Sequence, residues 1–388
     1  MRVALLLLAA PAALAFASTP EEVEQYPNIA DAPYATATGR NTHASGVAST
    51  AIGDFTKASG EASTAMGRMS EAMGVGATAM GKSSEATGTY SVAMGESCTA
   101  SMTADISGGM MAKANGGSAI ALGLSTEALG QGSVALGKMS KATGQAAVAL
   151  GMSAVAEGYY SFAAGDKAKA MGVDSVAIGP EAKATSDNAI ALGKKLESSG
   201  QASLATGYRT SATAMASTAM GMLTEASDSY ATAMGLESIA EGFCSVAAGN
   251  EALASAEYAV SIGTNTLAMG VSSTSLGEFT IATGYGATAL GYETAANGDR
   301  STAMGVFTKA ASFGEMVVGR QATTGHAHAS IRVPRCPSDA PVAVVAAGTT
   351  KCLTSPLRIA STRGGATRLS SASAWARATT TGATHSRS

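Results

Sequence analysis

Short blocks in which polar and apolar residues alternate return every seven residues along most of the chain, and each block ends at a glycine. This lattice extends from Gly39 to Gly319 without an insertion or a deletion, and 35 of its 41 positions are Gly. The six exceptions all belong to one alternating class, so the true period is fourteen residues with two unlike halves. They are Met102, Ser186, Ala214, Asp228, Ala256 and Ser312. A fixed period of this kind is typical of a solenoid, in which each repeat stacks on the next.

The two halves of the repeat carry the same small residue but differ in their polar positions. Alanine stands two residues before the lattice position in 17 of 21 first halves and in 19 of 20 second halves. The residue three before the lattice position is never charged in first halves, whereas it is Lys or Glu in 11 of 20 second halves. Alternation with period two, closed by Gly, predicts two short strands and two turns per coil. A helix is the competing interpretation, but a Gly at every seventh residue would cost it about 1 kcal/mol each.

The polar positions predict which side chains face the interior. Lys and Glu in the second strand must face water, so Ala, Ser and Thr turn inward and the coil is thin. If the first strand does the same, a stripe of Val, Ile, Leu and Met lies outside. About twenty coils at ~4.8 Å each would make a rod of ~95 Å, whose stripe would expose on the order of 1,000 Å², more than monomers usually leave uncovered.

An exposed stripe of this size predicts a cyclic oligomer in which the stripes of several chains pack together. The alternative is a monomer with Val and Met turned inside and Ser and Ala outside. The residues expected at the oligomer interface are Val92, Met94, Ile120, Leu122, Val134, Leu136, Val148, Leu150, Val176, Ile178, Ile190 and Leu192.

The ends of the chain differ from the repeat. Met1 and Arg2 precede an apolar run to Ala17, which is typical of a secretory signal and too short for the ~20 residues that span a bilayer. We expect cleavage near Ala17, with a retained N-terminal anchor as the alternative, and a lead-in over 18–35. Residues 320–388 carry eight Arg, one Lys and one acid, which leaves the rest of the chain at −11. This basic, low-complexity tail is expected to be mostly disordered.

The repeats resemble a known family, the YadA-like heads of trimeric autotransporter adhesins. The matching blocks, each followed by its Ala-x-Gly half, are 91–95, 133–137, 175–179 and 189–193, and the resemblance covers 36–319. It implies a left-handed parallel β-roll, assembled as a homotrimer with the Val and Ile face toward the axis, that attaches to cell or extracellular-matrix surfaces. After Gly319 we find no heptads or alternating barrel strands, so a secreted or surface-associated head is expected.

Candidate chemistry is sparse in the repeats. Only one of the four His, His43, lies there, and no spacing indicates a catalytic triad, a metal site or a cofactor site. We therefore expect a non-enzymatic protein with a protein or polysaccharide surface as its ligand and no nucleic-acid partner. Cys98 and Cys244 stand where Ala or Ser is usual and are expected to be small buried residues. The coil 102–109, where Ser-Gly-Gly replaces Ala-x-Gly, is expected to be looser.

One local feature is a candidate partner patch. On the face that elsewhere carries Lys and Glu, successive coils have apolar residues, namely Ile239, Leu253, Leu267 and Ile281, followed by Ala295. Such a strip could bind a partner, or it could be a ladder that only improves stacking between coils.

Two other functions fit the repeat pattern. A structural protein of a wall or matrix would need only the regularity of the repeat. The Thr column Thr36, Thr50, Thr64 and Thr78 suggests an ice-binding face, but this column then changes to Val and Ile.

Overall fold

The structure, a computed structural model, describes residues 27–320 continuously. Outside that range it describes four strands, Leu14–Phe16, Ile331–Val333, Val342–Ala346 and Thr349–Leu353. The described residues form strands and turns and contain no helix. The predicted all-β parallel solenoid with fourteen residues per coil is therefore confirmed, with 21 long and 21 short strands.

Each coil contributes one long strand and one short strand. The long strands are Thr36–Arg40, Thr50–Asp54, Thr64–Arg68, Thr78–Lys82, Val92–Glu96, Ile106–Met110, Ile120–Leu124, Val134–Lys138, Val148–Leu150, Phe162–Ala164, Val176–Ile178, Ile190–Lys194, Leu204–Tyr208, Thr218–Met222, Thr232–Leu236, Val246–Asn250, Val260–Thr264, Thr274–Glu278, Thr288–Tyr292, Thr302–Val306 and Met316–Arg320. The short strands are Ile29–Ala30, His43–Ala44, Lys57–Ala58, Glu71–Ala72, Glu85–Ala86, Thr99–Ala100, Lys113–Ala114, Glu127–Ala128, Lys141–Ala142, Val155–Ala156, Lys169–Ala170, Lys183–Ala184, Glu197–Ser198, Ser211–Ala212, Glu225–Ala226, Ile239–Ala240, Leu253–Ala254, Leu267–Ala268, Ile281–Ala282, Ala295–Ala296 and Lys309–Ala310.

Both kinds of strand stack in parallel with a register shift of one repeat. Thr64 lies opposite Thr78 in the long-strand sheet, and Glu71 lies opposite Glu85 in the short-strand sheet. Every position of the repeat therefore becomes a column of equivalent residues that runs along the solenoid, and a property of a column is a property of a face.

The core consists of four columns of small side chains. In one coil these are Ser63, Ala65, Ser70 and Ala72, all with no exposed surface. Met66, between the inward-facing residues, is exposed. The thin Ala-Ser-Thr interior is thus confirmed, and the alternative with Val and Met inside is wrong, because most levels of the interior columns hold Ala, Ser or Thr, with Leu196 and Asp105 among the few larger residues.

Backbone conformation separates the two glycine classes. The 21 lattice glycines of the first halves have φ between 112° and 142°, which other residues rarely adopt. A Cβ on Gly67, for example, would lie 2.1 Å from the carbonyl oxygen of Gly81 in the next coil. Second-half glycines such as Gly74 have no positive φ, although a Cβ there would also crowd the next coil. This difference explains why all six non-glycine lattice residues occur in second halves.

A second backbone column was not anticipated from the sequence. The residue two positions after each lattice position from 39 to 312 has a left-handed conformation, and at 36 of these sites, from Asn41 to Phe307, it is not glycine; Tyr34, seven residues before Asn41, has the same conformation. Their φ angles lie between 48° and 61°. Val, Ile and Thr are common elsewhere in the chain but absent from this column, in agreement with the high cost of this conformation for β-branched residues.

The coil expected to be looser is held by a buried carboxylate. Asp105 is fully buried and accepts hydrogen bonds from the backbone N–H of Met102 at 2.8 Å and of Ala119 at 2.9 Å. The strand Ile106–Met110 pairs with its neighbours on both sides. Asp105 thus anchors the turn in which Met102 replaces glycine, and the ladder passes through this coil without a break.

The remaining predictions about the ends fall mostly outside the described residues. Of the proposed signal, residues 1–17, only the strand Leu14–Phe16 is described, and it pairs in parallel with 36–38. A second compact unit begins at Ile331, and in it Val342–Ala346 pairs antiparallel with Thr349–Leu353. The basic composition does not predict these strands, and the rest of the proposed tail lies outside the described residues.

Candidate interaction surfaces

The outward face of the long strands carries the stripe expected at an oligomer interface. The first and third residues of each long strand point away from the core, so that Val92 is half-buried and Met94 is 37% exposed while Ala93 between them is fully buried. All twelve predicted interface residues lie on this face, half-buried or exposed. The face is covered by no other part of the described chain, so it is free to pack against another molecule.

Stacking makes this stripe continuous. Ile120 lies opposite Val134, which lies opposite Val148, and Leu122, Leu136 and Leu150 form the neighbouring column. Val176 and Ile178 stack in the same way on Ile190 and Leu192. In the second column, Gly108 has no side chain and Ala164 has only a methyl group, so the height of the stripe varies along the solenoid.

The outward face of the short strands carries the predicted partner patch. Ile239, Leu253, Leu267 and Ile281 stack directly on one another, each half-buried. Ala295 continues the column with a smaller side chain. The structure brings these residues together as one apolar strip four coils long. We call these four residues the apolar strip.

Exposed aromatic side chains flank this part of the solenoid at both turns. Tyr230, Phe243 and Tyr258 form a chain of edge-to-face contacts, with ring centroids 5.8 and 5.7 Å apart. At the other turn, Tyr292 makes edge-to-face contacts with Phe279 at 6.1 Å and Phe307 at 5.6 Å. These clusters were not predicted from the sequence. Aromatic residues at equivalent or adjacent turn positions of consecutive coils are the signal that could have found them.

Charges are distributed unevenly along the solenoid. Residues 36–209 contain 13 Lys or Arg and 13 Asp or Glu. Residues 210–299 contain no Lys, Arg or His and nine acids, namely Glu225, Asp228, Glu237, Glu241, Glu251, Glu257, Glu278, Glu293 and Asp299. Six coils and a half of the solenoid are therefore strongly acidic.

In the balanced region opposite charges pair between neighbouring coils. Arg40 donates to Asp54 at 2.7 Å, and Lys82 donates to Glu96 at 2.7 Å. The hydrogen bond from Arg40, with the charges of Arg40 and Arg68, holds the pKa of Asp54 below its usual value. In the acidic region the hydrogen bond and nearby charge of Glu293 raise the pKa of Tyr292.

The two cysteines of the repeat occupy different environments. Cys98 is fully buried, as predicted, and burial raises the pKa of its thiol. The prediction is wrong for Cys244, which is half-exposed because it stands in the left-handed turn column, where side chains point outward. Within the described residues, no three His, Cys, Asp or Glu side chains are grouped closely enough to hold a metal ion.

Comparison with known protein families agrees with this geometry. The model for the YadA head domain repeat, in two copies, matches 44–70, 72–95, 114–138, 128–154, 142–168, 170–195, 198–224, 240–266, 261–287 and 282–308. These segments cover more than half of the chain. The chain belongs to the YadA head repeat family. No curated protein matches it. In the part of this YadA-like head that the structure describes, no helix is both long and apolar enough to cross a membrane.

Proposed function

We propose that this protein is a secreted or cell-surface, adhesin-like binding protein without enzymatic activity. Its YadA-like head assembles as a homotrimer and attaches to cell or extracellular-matrix surfaces. The observation that carries the proposal is the uncovered apolar stripe on the long-strand face, which includes Val134 and Leu136 on a chain of the YadA head family.

A cyclic oligomer follows from the stripe by a physical argument, and the similarity to YadA-like heads implies that it has three chains. A rod with one apolar face can bury that face against copies of itself, and a cyclic arrangement closes without leaving an open end. The short-strand faces and both turns then remain in contact with solvent, where they can meet a surface. Export by the segment 1–17, with cleavage near Ala17, would bring the head outside the cell.

The solution mass of the chain from residue 18 onward tests the assembly by sedimentation equilibrium. Three chains per particle is the expected result, and replacing Val134 and Leu136 together by Lys should shift the mass toward one chain. The control replaces Thr143 and Lys141, on the short-strand face, by Glu, and should leave the mass unchanged. A single-chain mass for the unaltered protein would contradict the trimer.

Attachment is tested separately with the same protein on immobilised collagen, polysaccharide and cultured cells. Binding to one of these surfaces above a Gly/Ser-rich control protein is expected. Absence of binding to all of them, together with recovery of the protein in an insoluble wall or matrix fraction, would favour the second candidate, a structural protein. That candidate is supported by the unbroken register of the coils, which needs no ligand.

A further inference from the structure

The apolar strip differs from the rest of its column, the outward-facing position of the short strands. In most other coils this outward position of the short strand holds charged side chains such as Lys57, Glu71 and Lys183, and the aliphatic Ile29 and Val155 stand alone. Only from Ile239 to Ile281 do four consecutive coils carry large aliphatic residues there. A stacking role alone would not confine such residues to one segment, because every coil of the solenoid stacks in the same way.

The strip lies within the acidic region, and carboxylates flank its first two coils. Glu237 and Glu251 precede Ile239 and Leu253 by two residues, and Glu241 follows Ile239 by two, so they stand on either side of the strip. All three side chains are exposed. At the coils of Leu267 and Ile281 the equivalent positions hold Asn265, Met269, Phe279 and Thr283. An aliphatic ridge with carboxylates beside its first two coils is complementary to a partner that has basic residues beside an apolar stripe.

We propose that the short-strand face of residues 237–281 binds a cationic amphipathic α-helix of a partner protein. This deepens the proposed function by naming the chemistry of the ligand, and it rests on that function only in requiring that the short-strand face stays outside the trimer.

Spacing favours a helix that lies along the solenoid. Parallel strands lie about 4.8 Å apart, so three steps, from Ile239 to Ile281, cover about 14 Å. Apolar residues at i, i+3, i+7 and i+10 of a helix span about 15 Å at 1.5 Å per residue. An extended peptide would present side chains on one face every ~6.6–6.8 Å and would fall out of step after one or two coils.

The aromatic clusters extend the same complementarity. Tyr230 and Tyr258 are 49% and 48% exposed at the turn that follows the short strands, and Phe279 is exposed at the turn that precedes them. The faces of such rings attract the ammonium and guanidinium groups of Lys and Arg. Basic residues beside the apolar stripe of the helix can therefore meet either a carboxylate or an aromatic ring.

The charge also argues against other occupants of this face. A second copy of the solenoid would bring the carboxylates of this face, such as Glu237, Glu241 and Glu251, against themselves, and an anionic lipid surface or polyanion would be repelled in the same way. Both features favour binding of a cationic helix, since it neutralises the carboxylates and covers the apolar strip.

The test uses the full chain and a synthetic peptide of Leu and Lys, about 18 residues and five helical turns long, with Leu at i, i+3, i+7 and i+10. A peptide of the same composition with Leu in scrambled order is the control. Fluorescence anisotropy should show that the amphipathic peptide binds at least about tenfold tighter than the scrambled one. Only the amphipathic peptide places its Leu side chains on one face of the helix, where they can contact the strip together.

The decisive variant is Leu253→Lys with Leu267→Lys, which should weaken peptide binding at least about tenfold. Lys occurs in this column at Lys57 and Lys183, so the coil accepts the change. Thr99→Lys with Ser211→Lys adds the same charge to the same column outside the strip and should weaken binding no more than about threefold, through net charge alone.

Three outcomes would overturn the proposal. These are no detectable binding of the amphipathic peptide at low salt, equal binding of the scrambled peptide, and equal weakening by the two double variants. Unchanged circular dichroism and unchanged solution mass confirm that each variant remains assembled. If the unaltered protein proves to be a single chain but binds the peptide as described, the trimer fails and the helix site stands.

Discussion

Residues 36–209 and residues 210–299 are built on one lattice but present different surfaces. Both regions bury the same Ala, Ser and Thr columns, and both place a residue in the left-handed conformation at every seventh position. The first region balances 13 basic with 13 acidic residues and pairs some of them between coils, as in Arg40 with Asp54. The second has nine acids and no base, with apolar and aromatic side chains between them.

The fold therefore depends on the inward columns and the backbone, while the residues of the outward columns are free to change. Each coil contacts mainly its two neighbours, so stability is close to a sum over coils and a surface can be altered locally without disturbing the rest. Substitutions of backbone and core columns should therefore act alike in both regions, whereas substitutions of outward columns should not.

The largest effect is expected for the lattice glycines of first halves. Gly137→Ala and Gly263→Ala each force Cβ into a positive-φ position, with the next coil's carbonyl oxygen within 2.3 and 1.8 Å, and should each cost at least about 3 kcal/mol of unfolding free energy. Because both belong to the shared scaffold, the two losses should agree within ~0.5 kcal/mol. Urea unfolding followed by circular dichroism measures them.

The control for these variants is a second-half glycine. A Cβ on Gly144 would also meet a carbonyl oxygen of the next coil, that of Gly158, but Gly144 has no positive φ, and Ala214 and Ala256 occupy equivalent positions. Gly144→Ala should therefore cost at least about 1 kcal/mol less than Gly137→Ala. Equal losses for Gly137→Ala and Gly144→Ala would show that the φ angle does not separate the two glycine classes.

A smaller but local effect is expected at the buried carboxylate of the balanced region. Asp105→Ala removes the acceptor of the Met102 and Ala119 amides and should cost about 2–3 kcal/mol, because buried donors are left unpaired. Hydrogen exchange should show the loss concentrated in coils 92–124. Asp174→Ala, at an exposed turn, serves as the control and should change the unfolding free energy by less than ~0.5 kcal/mol.

Much of this architecture could be predicted from the sequence because the period fixes the register. The Ala columns, the outward stripe at Val134 and Leu136 and the strip from Ile239 to Ile281 follow from alternation alone, and the structure places them accordingly. The role of Asp105 could not be predicted, since it depends on which amides a single side chain meets across two coils. Cys244 was misassigned because it stands where Ala or Ser is usual, and these small residues were taken to be buried, although in this column they occupy a left-handed turn.

The left-handed turn column offers a further comparison of the two regions. Ala62→Val and Ala216→Val place a β-branched residue at φ 53° and 52° and should each cost about 1–2 kcal/mol. Ala62→Ser, a residue found at equivalent turns such as Ser83, should be nearly neutral. Thermal unfolding measures both, and a neutral Ala62→Val would mean that the absence of β-branched residues from this column has another cause.

The smallest effect on the unfolding free energy is expected for single carboxylates, which differ between the two regions in whether a basic residue lies nearby. Asp54→Asn removes an exposed pair with Arg40 and should cost no more than a few tenths of a kcal/mol, because solvent screens it. The pKa of Asp54 is lowered in the folded chain, so its contribution is complete above the unfolded pKa and is lost as the pH falls through the folded one. Urea unfolding near pH 7 and near pH 2.5 should therefore show a smaller difference between variant and parent at the lower pH.

The matched variant in the acidic region is Glu251→Gln. Glu251 has no basic residue in its own or the adjoining coils, and its charge is repelled by those of Glu237 and Glu241. Removing this charge near pH 7 should leave the unfolding free energy unchanged or raise it by a few tenths of a kcal/mol, and added salt should erase the gain. A loss as large as that of Asp54→Asn would mean that the acidic coils are stabilised by their carboxylates, and it would remove the reason to expect a cationic partner there.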